Sequence, residues 1–134
     1  MRNRWILVGS LALGLLVLAG YAMRPADDPA VARGEHAYRI CAACHIIDSE
    51  AEPHSAPSLA GVAGRPAASG GFAYSEALRA AAAAGLVWND AALDAFIADP
   101  DGFLPGTSMG FAGLADPAAR RDVIAFLHAR LGAD

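Results

Sequence analysis

The sequence predicts an all-α protein, a small helical domain preceded by one apolar helix. Three observations lead there. Segments beyond residue 30 place apolar residues at helical spacing behind capping side chains. No segment alternates apolar and polar residues as a half-buried strand would, and no internal repeat competes. Residues 5–23 form one apolar stretch without a charge.

Met1-Arg2-Asn3-Arg4 is a short basic segment, followed by the charge-free WILVGSLALGLLVLAGYAM. About 20 apolar residues cross a bilayer as a helix. Arg2 and Arg4 before the stretch, against Arg24 alone behind it, put the N-terminus on the cytoplasmic side. The same residues also read as a cleaved signal peptide, with Ile6 to Leu18 as the apolar run and Gly20-Tyr21-Ala22 as a small-x-small site. Either way the remainder is exported, in a bacterium to the periplasm. It is then held by a single-pass helix in the inner membrane or, after cleavage, is a soluble periplasmic protein. Residues 1–24 are therefore assigned as signal-anchor or signal peptide, 25–32 as a short linker with two prolines, and 33–134 as one domain. Nine residues from Arg24 reach at most about 30 Å, so an anchored domain would stay near the membrane surface.

Val31 to Ala43 is expected to be the first helix of the domain, with Tyr38 as its main apolar anchor. His45 to Gly71 carries Pro53, Pro57, Pro66 and several glycines, and reads as a structured loop. Ser75 to Ala84 is an alanine-rich helix capped by Ser75. Asn89 to Ala98 is another, with Asn89 as cap, Ala92, Leu93 and Phe96 at helical spacing, and Pro100 beyond its end. Asp116-Pro117 opens the last helix, whose apolar stripe is Val123, Ile124 and Leu127 with Phe126 beside it.

The chemistry is concentrated in Cys41-Ala42-Ala43-Cys44-His45, which holds both cysteines of the chain. C-x-x-C-H is the attachment signature of c-type haem. Two thiols one helical turn apart can add to the two vinyl groups on one porphyrin edge, and the adjacent histidine reaches the iron as proximal ligand. A redox dithiol would belong in a βαβ setting that this chain lacks, and structural zinc would need further ligand pairs.

The iron then needs a sixth ligand or an open site. Met109 is the only methionine of the domain and lies in Leu104-Pro105-Gly106-Thr107-Ser108-Met109-Gly110-Phe111, where proline and glycine exclude regular helix. A thioether favours ferrous iron, and His/Met coordination raises the reduction potential. His54, in the proline-rich loop, is the main rival. His36 and His128 are rivals on predicted helices, and Met109 as core filler is the plain alternative.

Together these residues resemble a class I cytochrome c, of the mitochondrial-like type with bacterial membrane-anchored members, over Ala32 to Leu131. The resemblance implies that fold wrapped around one covalent haem c, with Gly34 and Tyr38 of the first helix crossing Val123 and Phe126 of the last. It implies that Pro57 accepts a hydrogen bond from the imidazole of His45. It places Arg65 of Gly61-Val62-Ala63-Gly64-Arg65, Tyr74 of Gly71-Phe72-Ala73-Tyr74-Ser75-Glu76-Ala77, and Trp88 beside the haem propionates. It makes His45 and Met109 the two iron ligands. Two departures stand out: Phe96 where the family often has a tyrosine near the methionine sulfur, and a few extra residues in the Ala80 to Ala84 stretch.

From Pro25 onward seven arginines face fourteen acidic residues, a formal charge of −7, and the whole chain lacks lysine. Nucleic-acid binding is not indicated. The resemblance implies comparison with mitochondrial-type members, which dock through a lysine ring around the exposed haem edge; here the corresponding positions near the ligand loop are Asp101, Gly102, Ser108, Ala115 and Asp116. The expected function is one-electron carriage, not enzymatic catalysis. A quinol-oxidising cytochrome complex or a dehydrogenase would be the donor, and a terminal oxidase the acceptor. The alternatives are a five-coordinate peroxidase-like or gas-binding haem protein, or a fixed cytochrome subunit of an oxidase or dehydrogenase.

A domain this small, with many alanines and few large apolar residues, cannot build much core of its own. The chain without haem is expected to be largely unfolded, showing weak helical circular dichroism that rises on haem attachment. A fully helical apo form would contradict this.

Overall fold

The computed structural model describes residues 27–47 and 55–130. The apolar segment 5–23, the Gly20-Tyr21-Ala22 site, Pro53 and His54 lie outside the described residues. Among the described residues, no helix is long and apolar enough to cross a membrane.

Among the described residues five α-helices follow in order: α1 Pro29–Tyr38, α2 Glu76–Ala83, α3 Asp90–Ala98, α4 Pro100–Phe103 and α5 Pro117–Ala129, with a 3₁₀ turn at Cys41–Ala43. Each α-helix opens on a side-chain oxygen that takes up an otherwise unpaired backbone N–H. Asp28 accepts from Ala30, Ser75 from Leu78, Asn89 from Ala92, Asp99 from Gly102 and Asp116 from Ala118. Proline at the first helical position follows the cap in α1, α4 and α5, where its missing N–H costs nothing.

The sequence expectations hold for α2, α3 and α5, and differ in three places. α1 begins at Pro29 rather than Val31, inside the segment read as linker, because Asp28-Pro29 is a cap followed by an N1 proline. It also ends at Tyr38 rather than running to Ala43. The Arg39 N–H bonds to the His36 carbonyl three residues back, and the haem motif sits on a separate 3₁₀ turn. Finally, Asp99-Pro100 does not simply terminate α3; the same pair caps and opens α4. Among the described residues the only sheet-like pairing is an isolated antiparallel bridge between Pro66 and Val87.

The core gathers around the crossing of α1 and α5. Val123, Ile124, Phe126 and Leu127 are all buried, and Phe126 meets the ring of Tyr38 at 5.2 Å between centroids. Fully burying an aliphatic or aromatic side chain is worth about 1.5–3 kcal/mol, so this stripe dominates the contact. Close approach of the helices depends on Gly34. A Cβ at that position would lie 1.9 Å from the Asp122 carbonyl oxygen and 2.8 Å from Phe126 Cβ. Any other residue would push the helices apart. The remaining core residues come from the loop (Val62, Ala63, Ala67), from Trp88, and from Leu93 and Ile97 of α3.

At the edge of the crossing, Arg33 grips Asp122 with two hydrogen bonds, of 2.7 and 3.1 Å. These bonds are the main reason the Asp122 carboxyl lies below its ordinary value; burial opposes them, and the charges of Arg33 and Arg121 add to them. A carboxylate depressed by folding stabilises the native state above the unfolded pKa, and that contribution is lost as pH falls through the folded value. The stability difference between wild type and Asp122→Asn, measured by urea unfolding of the haem-loaded protein, is expected to be steady above about pH 5 and to shrink towards about pH 3. A difference independent of pH over that range would refute the pairing.

Candidate haem site

α1 delivers the chain directly into the motif. In the 3₁₀ turn the N–H groups of Cys44 and His45 both bond to the Cys41 carbonyl, at 3.1 and 2.9 Å. The turn therefore presents Cys41 and Cys44 one winding apart with His45 next in line. Tyr38 ties it down by donating its hydroxyl to the His45 carbonyl at 3.4 Å. Burial pushes the Tyr38 phenol up to about 12, so it stays a donor. Burial also pushes the Cys41 thiol up. That is opposite to what a thiolate-based redox pair needs. Each thiol would form its thioether by adding sulfur and hydrogen across one vinyl double bond of the haem.

Leu59 N–H bonds to the Ile46 carbonyl at 2.8 Å, laying the 55–60 segment alongside the motif. This alignment brings the Pro57 carbonyl to 2.7 Å from His45 Nδ1. A carbonyl can only accept, so in the neutral ring the proton sits on Nδ1 and the lone pair on Nε2. The imidazole is oriented and electronically prepared as a metal ligand through Nε2. Arg65 holds the same segment from the other side, donating to the carbonyls of Ala60 at 3.0 Å and Ser58 at 3.3 Å. Those two bonds leave three of its N–H donors for another partner.

Arg65 and Trp88, 23 positions apart, meet through the isolated bridge. Trp88 N–H bonds to the Arg65 carbonyl at 3.0 Å, and Gly64 N–H to the Trp88 carbonyl at 2.8 Å. The indole is buried and packs on Phe96 at 5.0 Å between centroids. Phe96, at the position noted for its missing hydroxyl, spends its ring on Trp88 and, at 6.0 Å, on Phe103. Tyr74 accepts a hydrogen bond from Gly70 N–H at 3.2 Å, which leaves its own proton free to be donated. The structure thus brings His45 to Pro57 and Arg65 to Trp88, while Tyr74 stands beside Phe72 at the entry to α2.

Met109 is half-buried on the loop between α4 and α5. Its N–H bonds to Thr107 Oγ1 at 3.3 Å, and its carbonyl accepts from Phe111 N–H at 2.9 Å. The loop re-enters the core at Gly113-Leu114. Gly113 has φ 96°, and a Cβ there would lie 2.1 Å from the Ala98 carbonyl oxygen; Leu114 N–H then bonds to Ile97 at 2.8 Å. Sequence reading missed Arg120, which donates to the carbonyls of Leu114 and Ala115 and to Asp94 of α3. Of the rival ligands, His36 is exposed on α1 and His128 is held by Asp90 at 2.7 Å, while His54 lies outside the described residues.

These residues fit a haem. Apolar side chains from successive elements (Cys41, Leu59, Leu78, Leu86, Phe96 and Leu114) pack against the core yet remain only partly covered. A large flat apolar group would cover surface of this kind. Among the described residues no three His, Cys, Asp or Glu side chains converge as a metal site would require.

A profile of the cytochrome c family matches residues 31–130. Cytochrome c2 of Rhodomicrobium vannielii is 40% identical over 108 residues, covering 80% of this chain and 82% of its own. Cytochrome c-554 of Methylosinus trichosporium is 36% identical over 135 aligned positions, covering 100% and 97%. Among solved structures, cytochrome cH from Methylobacterium extorquens has a TM-score of 0.66 at 40% identity, covering 73% of this chain and 96% of its own. Cytochrome c2 from Rhodospirillum centenum has a TM-score of 0.69 at 34% identity, covering 73% and 95%. The family carries one haem c attached covalently through a cysteine pair, and Cys41 and Cys44 are the two cysteines present. With a helical fold, an attachment turn and an oriented histidine all in agreement with the sequence match, the chain belongs to the cytochrome c family.

Proposed function

We propose that this cytochrome c2-like electron carrier would hold a closed, six-coordinate iron, with His45 and Met109 as its two protein ligands. The observation that supports the reading is the 2.7 Å contact between His45 Nδ1 and the Pro57 carbonyl, which leaves the Nε2 lone pair available to a metal. When bound, the haem would supply one-electron chemistry through the ferric–ferrous couple of its iron. The protein's part is to keep the geometry the same in both states. Pro57 and Tyr38 fix the histidine side. Met109, on a loop pinned at Leu114, supplies a soft thioether that favours the ferrous form and closes the site to oxygen and peroxide. The spare donors of Arg65 and Tyr74, with Trp88 beside Arg65, are suited to the two propionates.

In this reading the carrier works on the periplasmic side of a bacterial inner membrane, with residues 1–24 as its anchor or as a removed signal. Its donor is a quinol-oxidising cytochrome complex or a dehydrogenase, and its acceptor a terminal oxidase. Ala42 and Ala43, before His45 in sequence, and Gly110 and Ala112, beside Met109 and the half-buried Phe111 in sequence, are exposed small residues that could form an apolar docking surface. With no lysine in the chain and Asp101 and Asp116 flanking the ligand loop, docking relies on this patch or on a basic partner, not on attraction to acidic surfaces.

The ferric protein is expected to show a sulfur-to-iron charge-transfer band that Met109→Ala abolishes. A high-spin resting spectrum in the wild type would instead support a five-coordinate peroxidase-like or gas-binding protein. Electron transfer to an acidic redox partner is expected to hold steady or rise as salt is added, because salt screens the repulsion between like charges. A rate that falls steeply as salt is added would count against the docking assignment.

A further inference from the structure

Arg120 is the most enclosed cation for which an ion pair is recorded among the described residues; its side chain is 12% exposed, against 62% for Arg33 and 40% for Arg130. It projects from the first turns of α5 and makes four hydrogen bonds in two directions. Nε and Nη2 fork onto the Asp94 carboxylate of α3, at 2.7 and 3.4 Å. Nη1 donates to the carbonyls of Leu114 and Ala115, both at 2.9 Å. Leu114 is also the residue whose N–H bonds to Ile97 of the same α3. One guanidinium thus joins two helices and two adjacent residues near the end of the Met109 loop. Neither the cluster's charge nor its burial is needed to attach the haem or to orient His45.

We propose that Arg120, paired with Asp94, is a positioning residue that holds the Met109 loop closed against the iron. The inference rests on Met109 as ligand. The mechanism is mechanical. Met109 lies five residues from Leu114, and a peptide of that length could swing through roughly 16 Å if its far end were free. Pinning Leu114 and Ala115 to α5 and α3 removes that freedom while leaving the loop's own backbone intact. The guanidinium suits the task because its planar fork meets a carboxylate and two carbonyls at once, which an ammonium cannot do. The Arg33–Asp122 pair, by contrast, bridges α1 and α5 only and touches no residue of the ligand loop.

The test follows two signals of the haem-loaded ferric protein through a urea titration. The sulfur-to-iron band reports the Met109 bond, and far-UV circular dichroism reports the helices. In Arg120→Ala the band is expected to disappear well before the helical signal. At low urea the population lacking the bond should rise at least about tenfold, the scale of losing one hydrogen bond to a charged group. Arg120→Lys should fall between this variant and wild type, and Asp94→Asn should separate the two signals in the same direction. Arg33→Ala should shift both signals together. The proposal is overturned if Arg120→Ala loses band and helix in one transition, or if Arg33→Ala separates them equally. Should Arg120→Ala fail to accumulate, Asp94→Asn decides on the same readouts. A wild type with no such band sinks the Met109 assignment and the brace together. A band present in wild type but indifferent to these changes sinks the brace alone.

Discussion

Backbone against backbone at Gly34 is the contact on which the rest of this molecule hangs. The hydrogen that stands for a side chain lets α5 lie directly on α1, and the crossing then buries Phe126 against Tyr38. From that point the two helices lead to opposite halves of the site. α1 runs through Tyr38 into the cysteine turn and His45. α5 begins beside the end of the Met109 loop and carries the guanidinium that grips it. One close approach therefore sets the spacing between the element that presents the histidine and the element that restrains the methionine. Exposed ion pairs such as Arg33–Asp122 decorate this contact and contribute little beside the burial of four large apolar side chains.

What lies between those halves is held by carbonyl groups more than by side chains. Pro57, Ala60 and Ser58 accept from His45 and Arg65, and Leu114 and Ala115 accept from Arg120. A loop-rich protein with little core has many such acceptors to satisfy, and directing them at charged or ring donors gives the loops a fixed shape without requiring regular structure. The same economy explains the single bridge at Pro66 and Val87. Two residues of pairing suffice to bring Arg65 and Trp88 together, and no sheet is needed.

The sequence made visible whatever is decided locally. Ser75, Asn89 and Asp116 announced their helices because a cap bonds two or three residues ahead, and C-x-x-C-H was legible because its chemistry is contained in five residues. Asp28-Pro29 and Asp99-Pro100 carried the same kind of signal, yet the first was absorbed into a linker and the second read as a stop. Proline both ends and begins helices, and only the preceding cap distinguishes the two. The contact of His45 with Pro57 spans a loop and was accessible only through resemblance to a family. Arg120 was not accessible at all. Its partners are a carboxylate 26 positions away and two carbonyls, and backbone acceptors leave no trace in a string of side chains.

The partners at the crossing stand far apart along the chain, Arg33 and Asp122 being 89 positions from one another. A polypeptide delivered from its N-terminus thus presents α1 long before the helix that covers it exists. Closing so long a loop is slow and comes late in folding. During that interval nothing from α5 can shield Tyr38 or stiffen the turn beyond it. Cys44 stays exposed even in the folded chain, so what the late crossing adds is packing behind the turn rather than cover over its thiols. The chain's own order thus places the cysteine turn ahead of the helix that packs behind it.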